Sequence, residues 1–249
     1  MAITVTQQDA QFQAGVGGAV LHSITSPSHT WTTGDQLLFC VPWQHNALPD
    51  RDLASLTASA GTLSTPILGN ASQYTGASYK LDGSVAFSTF TAGATATLTA
   101  TDNTTDGADM WLTGSVLKLT GVDTTTPIRQ SAIAGTAAGG GNSVAVTLGS
   151  VPLTDSALVA ICIANNNNAW SLPSSPLTWD AITGLAETTW GGYHATTWKV
   201  GNSGSTGPYT FPNAGNTSGL AVVVYEIAAA AGGSVAVNHL TPQLGRRRI

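Results

Sequence analysis

Two apolar runs, Leu37-Leu38-Phe39-Cys40-Val41 and Leu158-Val159-Ala160-Ile161-Cys162-Ile163, lie about one β-sandwich module apart and constrain the fold more than any other feature. Each reads as a buried strand introduced by a polar turn, Gly34-Asp35-Gln36 in the first half and Thr154-Asp155-Ser156 in the second. Each half then closes on a further apolar strand, Gly114-Ser115-Val116-Leu117-Lys118-Leu119 and Gly219-Leu220-Ala221-Val222-Val223-Val224-Tyr225-Glu226-Ile227. The middles correspond loosely: Tyr79-Lys80 ahead of Val85-Ala86-Phe87-Ser88 takes the place of Trp198-Lys199-Val200 ahead of Tyr209-Thr210-Phe211. Two repeats do not make a solenoid; they make a pair of related domains or one fused double sandwich. The expected fold is all-β, with two tandem β-sandwich, jelly-roll-like modules and little helix. The first module is expected over residues 1–123 and the second over 124–249, with the boundary in Gly121-Val122-Asp123-Thr124-Thr125-Thr126-Pro127, where Thr, Asp and Pro break periodicity.

At 249 residues each half is large enough to bury a core of its own. Only 8% of residues are charged, too few to coat exposed helix faces, and Thr, Ser, Ala, Gly and Val dominate. Period-2 alternation in Thr95-Ala96-Thr97-Leu98-Thr99-Ala100 and Ser143-Val144-Ala145-Val146-Thr147-Leu148 fits strands with one buried and one wet face. Asn103-Thr104-Thr105-Asp106-Gly107 and Gly201-Asn202-Ser203-Gly204 read as turns. A single helical turn is predicted at Asp50-Arg51-Asp52-Leu53-Ala54-Ser55-Leu56, where an early Asp suits the helix dipole.

Three of the eight basic residues are Arg246, Arg247 and Arg248, so the rest of the chain is more acidic than the net charge of −5 suggests. Such a body repels phosphate backbones, and no direct nucleic-acid partner is expected. The start alternates like a strand and carries no basic segment ahead of an apolar one, so no signal peptide is expected. The apolar stretch from Leu220 to Ala231 contains Glu226 and is too short to span a bilayer, so membrane insertion is not expected.

Chemical motifs are sparse. Cys40 and Cys162 sit inside apolar runs and read as buried free thiols acting as small hydrophobes. Asp102, Thr104, Asp106 and Gly107 echo the opening of a calcium loop, but Thr113 stands where the bidentate Glu is needed, and an Asp-rich turn accounts for them. His22, His29, His45, His194 and His239 show no paired-ligand spacing. Gly201-Asn202-Ser203-Gly204-Ser205 misses the nucleophile elbow at its last position. The chain is therefore expected to be non-enzymatic, with no catalytic residue, metal or cofactor.

The aromatics are the more informative class. Trp170, Trp179, Trp190, Tyr193 and Trp198 crowd the second half, and Trp190-Gly191-Gly192-Tyr193-His194 sets rings beside glycines. Trp170, Trp190, Tyr193 and His194 are the candidate contacts to a glycan or a protein partner, core packing being the alternative for some of them. Arg246, Arg247 and Arg248 form a candidate assembly tail whose guanidinium forks suit carboxylates, a solvated end being the alternative.

The opening Gly34-Asp35-Gln36-Leu37-Leu38, the closing run from Leu117 to Ile128 and the stretch from Val151 to Ala160 together resemble virion proteins of tailed bacteriophages, especially minor tail or decoration-type proteins of phages infecting actinobacteria. That resemblance spans the whole chain and implies a structural component of a phage virion. It would assemble in the host cytoplasm through broad surfaces, as a homo-oligomer and with other virion proteins as partners. A minor tail or baseplate place is expected, with capsid decoration as the alternative. An alternative of another class is a carbohydrate-binding module or adhesin recognising host cell-wall glycans. No functional residue transfers with the resemblance.

Overall fold

In a computed structural model the described residues are 2–13, 22–45, 52–71, 74, 80–103, 110–187, 192–201, 204–216 and 218–231, and they are all-β. The first half supplies β1 (Thr4–Gln13), β2 (Ser23–Thr25), β3 (His29–Thr30), β4 (Gln36–His45), β5 (Leu53–Ala58), β6 (Thr62–Leu63), β7 (Ile67–Asn70), β8 (Lys80–Ala92), β9 (Thr95–Ala96), β10 (Leu98–Asp102) and β11 (Met110–Thr120). The second supplies β12 (Ile128–Thr136), β13 (Ser143–Val146), β14 (Ala157–Ala164), β15 (Ala181–Glu187), β16 (Gly192–Val200), β17 (Tyr209–Pro212) and β18 (Leu220–Ile227).

Among the described residues no sheet mixes the halves. The large sheet of the first runs β1-β11-β4-β8-β6, with β7 also on β8; that of the second runs β12-β18-β14-β16-β15. The order is the same in both: first strand, last strand, apolar-run strand, then the strand two-thirds along with its predecessor outside it. Small sheets, β2-β10-β5 and β13-β17, pack on the outer faces. The apolar-run strands β4 and β14 are central in both, as the duplication predicts.

Each half has its own core, one around Leu37, Phe39, Val41, Trp43 and Phe90, the other around Leu158, Ala160, Cys162, Val222 and Val224. A third cluster joins them, with Leu38, Cys40, Val85, Phe87 and Leu117 from one half meeting Val159, Ile161, Ile163, Val223 and Tyr225 from the other. The two large sheets therefore lie face to face, and the modules are fused into four layers. Alternate side chains of β4, β14 and β18 enter two different cores, which is why their sequences read as continuous apolar runs.

Three expectations change. Leu53–Ala58 is strand, not a helical turn: Leu53 and Leu56 enter the first core while β5 pairs with β10 across a register shift. Cys40 faces the shared cluster but Cys162 faces its own module's core, so superposing the cysteines would turn one strand over. The match that preserves faces sets Leu37, Phe39 and Val41 against Leu158, Ala160 and Cys162. Finally, Lys80 opens β8 whereas Lys199 lies near the end of β16, and Tyr209–Pro212 belongs to the small sheet, so the middles do not correspond as the sequence pairs them. Both thiols are free and buried; burial pushes Cys40 up to about 12, the neighbouring Ser115 opposing it only in part, and raises Cys162 as well.

Polar pins fix the register. Lys118 on β11 and Glu226 on β18 stand opposite Leu37 and Leu158, the same place in each module. Lys118 Nζ reaches Asp35 Oδ2 at 2.6 Å, while Glu226 accepts from Arg129 at 2.5 Å, Gln130 at 2.6 Å and the Leu153 N–H at 2.7 Å. Burial alone would raise the Asp35 carboxyl, but the hydrogen bonds from Lys118 and Thr32 hold it below its ordinary value. Across the seam, the Tyr225 hydroxyl crosses into the first module, 2.5 Å from the Gly83 carbonyl and 3.0 Å from that of Gly69. A Cβ on Gly69 would come 2.7 Å from Ile128 Cδ1, 2.9 Å from Val85 Cγ2 and 3.1 Å from Tyr225 Cε1, so a side chain there would force its neighbours to shift. Burial, then Cys40, Asp82 and Asp52, raise the Tyr225 phenol well above its ordinary range and keep it a donor. Tyr225→Phe should lower unfolding free energy by about 1–3 kcal/mol, because it leaves buried carbonyls without their donor; urea denaturation measures this.

Candidate functional site

The seam is apolar over most of its area and polar along one side, where β1, β11 and β4 face β16 and the end of β14. Gln11 bridges the two sheets. In the amide orientation that satisfies both its ends, its nitrogen donates to Thr113 Oγ1 and the Gly114 carbonyl at 3.1 Å each, and its oxygen accepts from Thr196 Oγ1 at 2.9 Å. Ser115 Oγ donates to Thr196 Oγ1 at 2.8 Å, and Thr113 Oγ1 lies 2.9 Å from His194 Nδ1. The chain of donors thus runs Ser115, Thr196, Gln11, Thr113, His194. It leaves Nδ1 as the acceptor and the imidazole proton on Nε2. Beside it, Gln44 Nε2 donates to Asn165 Oδ1 at 2.8 Å.

His194 is fully buried, and the Trp111 ring lies over it with centroids 3.8 Å apart. Gly192 allows this approach, since a Cβ there would sit 2.4 Å from Trp111 Cζ3 and 3.0 Å from Gln44 Oε1. Burial lowers the His194 pKa well below its ordinary value, so the ring is neutral. Trp111 Nε1, His194 Nε2 and Gln44 Oε1 have no hydrogen-bond partner. Magnitudes divide the labour along the seam. Each fully buried Val, Leu or Ile contributes about 1.5–3 kcal/mol, whereas each hydrogen bond nets about 1 kcal/mol. The apolar part therefore holds the modules together, and the polar strip selects how they align.

The described residues predicted as contacts, Trp170, Tyr193 and His194, are not gathered into one exposed patch. Trp170 is 5% exposed, bridges to Asn213 beside β17 and donates its indole N–H to the Tyr193 carbonyl at 3.4 Å. Tyr193 is half-buried on the second core and covers Gly184, whose Cβ would fall 2.3 Å from its ring. His194 faces the opposite way, into the seam. Trp179 and Trp198 are buried as well. Trp190, the Arg246, Arg247 and Arg248 tail, His239, and Thr104, Asp106 and Gly107 lie outside the described residues. Sequence reading missed Gln11, Gln44, Trp111, Thr113, Ser115 and Thr196. A signal was available for Thr113 and Ser115, polar residues at alternate positions of a largely apolar strand, but not for Gln11, which sits in a polar strand, nor for Trp111.

Groups able to do chemistry are engaged between strands. His22 meets Asp102 at 3.1 Å, His29 meets Asp9 at 2.7 Å, and His45 meets Asp82 at 3.1 Å with both side chains buried. Burial raises the Asp9 carboxyl, and His29 partly offsets it. Among the described residues no group of three His, Cys, Asp or Glu side chains is placed to hold a metal ion. No helix among them is long and apolar enough to cross a membrane. No family model, curated protein or solved structure matches the chain.

The neutral His194 makes stability depend on pH with a definite sign. The unfolded imidazole takes up a proton near its ordinary value of 6.5, while the folded seam refuses it until the pH is much lower. His194 therefore destabilises the folded state progressively as the pH falls below 6.5. Denaturant midpoints at pH 5 and pH 7.5 should differ more in the parent than in His194→Gln; equal differences would remove His194 as the cause.

Proposed function

We propose that this chain is a non-enzymatic structural component of a bacteriophage virion, a minor tail or baseplate protein, with capsid decoration as the neighbouring alternative. The observation that carries the proposal is the fused four-layer body. Two sandwich modules share a third core, so load applied to one is transmitted to the other through packed strands. A particle component needs this kind of rigid block.

The side chains suit the same reading. Lys118, Lys199, Arg129, His22, His29 and His45 each engage a carboxylate within the body. Outer strands present hydroxyl pairs, Thr25 with Thr99 at 2.8 Å and Thr30 with Thr95 at 3.0 Å. Uncharged faces of this kind fit broad protein contacts, whose centres are depleted in charge. A glycan-binding reading has less to draw on, since Trp170 and His194 are buried and what remains is Trp190 and the open side of Tyr193.

Mass spectrometry of purified particles of the phage encoding the chain should recover it, and immunogold labelling should mark the tail tip. Labelling over the capsid would favour decoration. A chain absent from particles and free in the lysate would overturn the proposal.

A further inference from the structure

An exposed sheet edge is a template for another strand, and proteins blunt such edges with bulges, charges or shortness. Most free edges among the described residues are blunted, shortened or flanked by other chain. β1 has register shifts between Gln7 and Asp9 and between Asp9 and Phe12. β12 has one between Ile128 and Gln130, where it carries Arg129; its regular part, Gln130 to Thr136, is flanked by the chain at Ser143 to Ser150, whose carbonyls accept from Thr136 Oγ1 and Gln130 Nε2. β5 shifts near Leu53, β2 has 3 residues, β6 has 2 and β7 has 4. β15 is regular over its whole length: 7 residues, Ala181–Glu187, pair with β16 without a shift. Among the described residues no strand takes its other side. It holds no Pro, Lys or Arg, and Glu187 at its end is the single charged residue.

We infer that β15 is a self-pairing edge, joining antiparallel to β15 of a second copy of this chain so that two five-stranded sheets become one continuous sheet. The strand is complementary to itself. With the two-fold axis at Gly184, the midpoint, Ile182 stands opposite Ala186 of the second copy, Thr183 opposite Leu185, and Ala181 opposite Glu187. No like charges are set opposite one another. The single acidic residue is brought to the strand end where the second copy carries Lys199, next to Asp180. Gly184 at the axis is exposed, and the Tyr193 ring beneath it covers the gap that the missing side chain leaves. Because β15 and β1 lie at the same side of the stacked large sheets, the bulged β1 edge would flank the join and β15 would make it. This inference rests on strand geometry and is independent of the virion reading.

The test uses the full chain. Light scattering should give a dimer mass. In the paired register the Cβ atoms of Ile182 and Ala186 are about 4.5–5.5 Å apart, within disulfide reach after small adjustment. The double variant Ile182→Cys/Ala186→Cys should therefore oxidise in air to a covalent dimer. Ala186→Cys alone should not, since equal positions lie about 13 Å apart along the paired strands. Ala186 is exposed, so Ala186→Lys should keep the parent circular dichroism while weakening dimerisation at least tenfold. A monomeric parent chain, a cross-link through Ala186→Cys alone, a dimer that the double variant fails to cross-link, or a dimer unaffected by Ala186→Lys would each overturn the inference.

Discussion

The rest of the structure depends on burying the central strands on both faces. β4, β14 and β18 each send alternate side chains into two cores, and every residue of β14 and β18 is buried. A strand in that position must form all its hydrogen bonds within the sheet and present apolar side chains on both sides. From this follow the fusion of the modules, the need for flanking strands on either side, and the concentration of polar pins at sheet ends and along one side of the seam.

Fusion also decides what the polar residues can do. In a single sandwich one face of β16 would meet water, and His194 and Thr196 would be ordinary surface groups. Here that face meets β1 and β11, so the same residues lose water and must find partners in Thr113, Ser115 and Gln11. A misaligned seam would strand several buried polar groups, each at a cost of about 1–3 kcal/mol. Polar groups that add little net stability thus discriminate strongly between alignments.

Much of the fold was legible. All-β character could be read because apolar runs and turn residues act locally, and the stretch Asp123 to Pro127 lies between β11 and β12. The helical turn at Asp50 to Leu56 could not be settled locally, since a short segment with Leu at spacing three suits either structure until β10 pairs with it. The site was harder to read. Trp170 and His194 were singled out for their chemistry, His194 also for the glycines that precede Tyr193. Whether a ring faces solvent or a second sheet is set by partners distant in sequence, Trp111 and Thr113 in the case of His194.

The sequence by itself determined that the chain makes two similar sets of strands with doubly apolar centres, because periodicity and turn chemistry are properties of neighbouring residues. Tertiary structure decided that the two sets share one core, that the cysteines face opposite ways, and that β15 is left, among the described residues, as a regular edge with one side unpaired. Those outcomes depend on which faces and edges find a partner, and a pattern along one strand does not encode its neighbour.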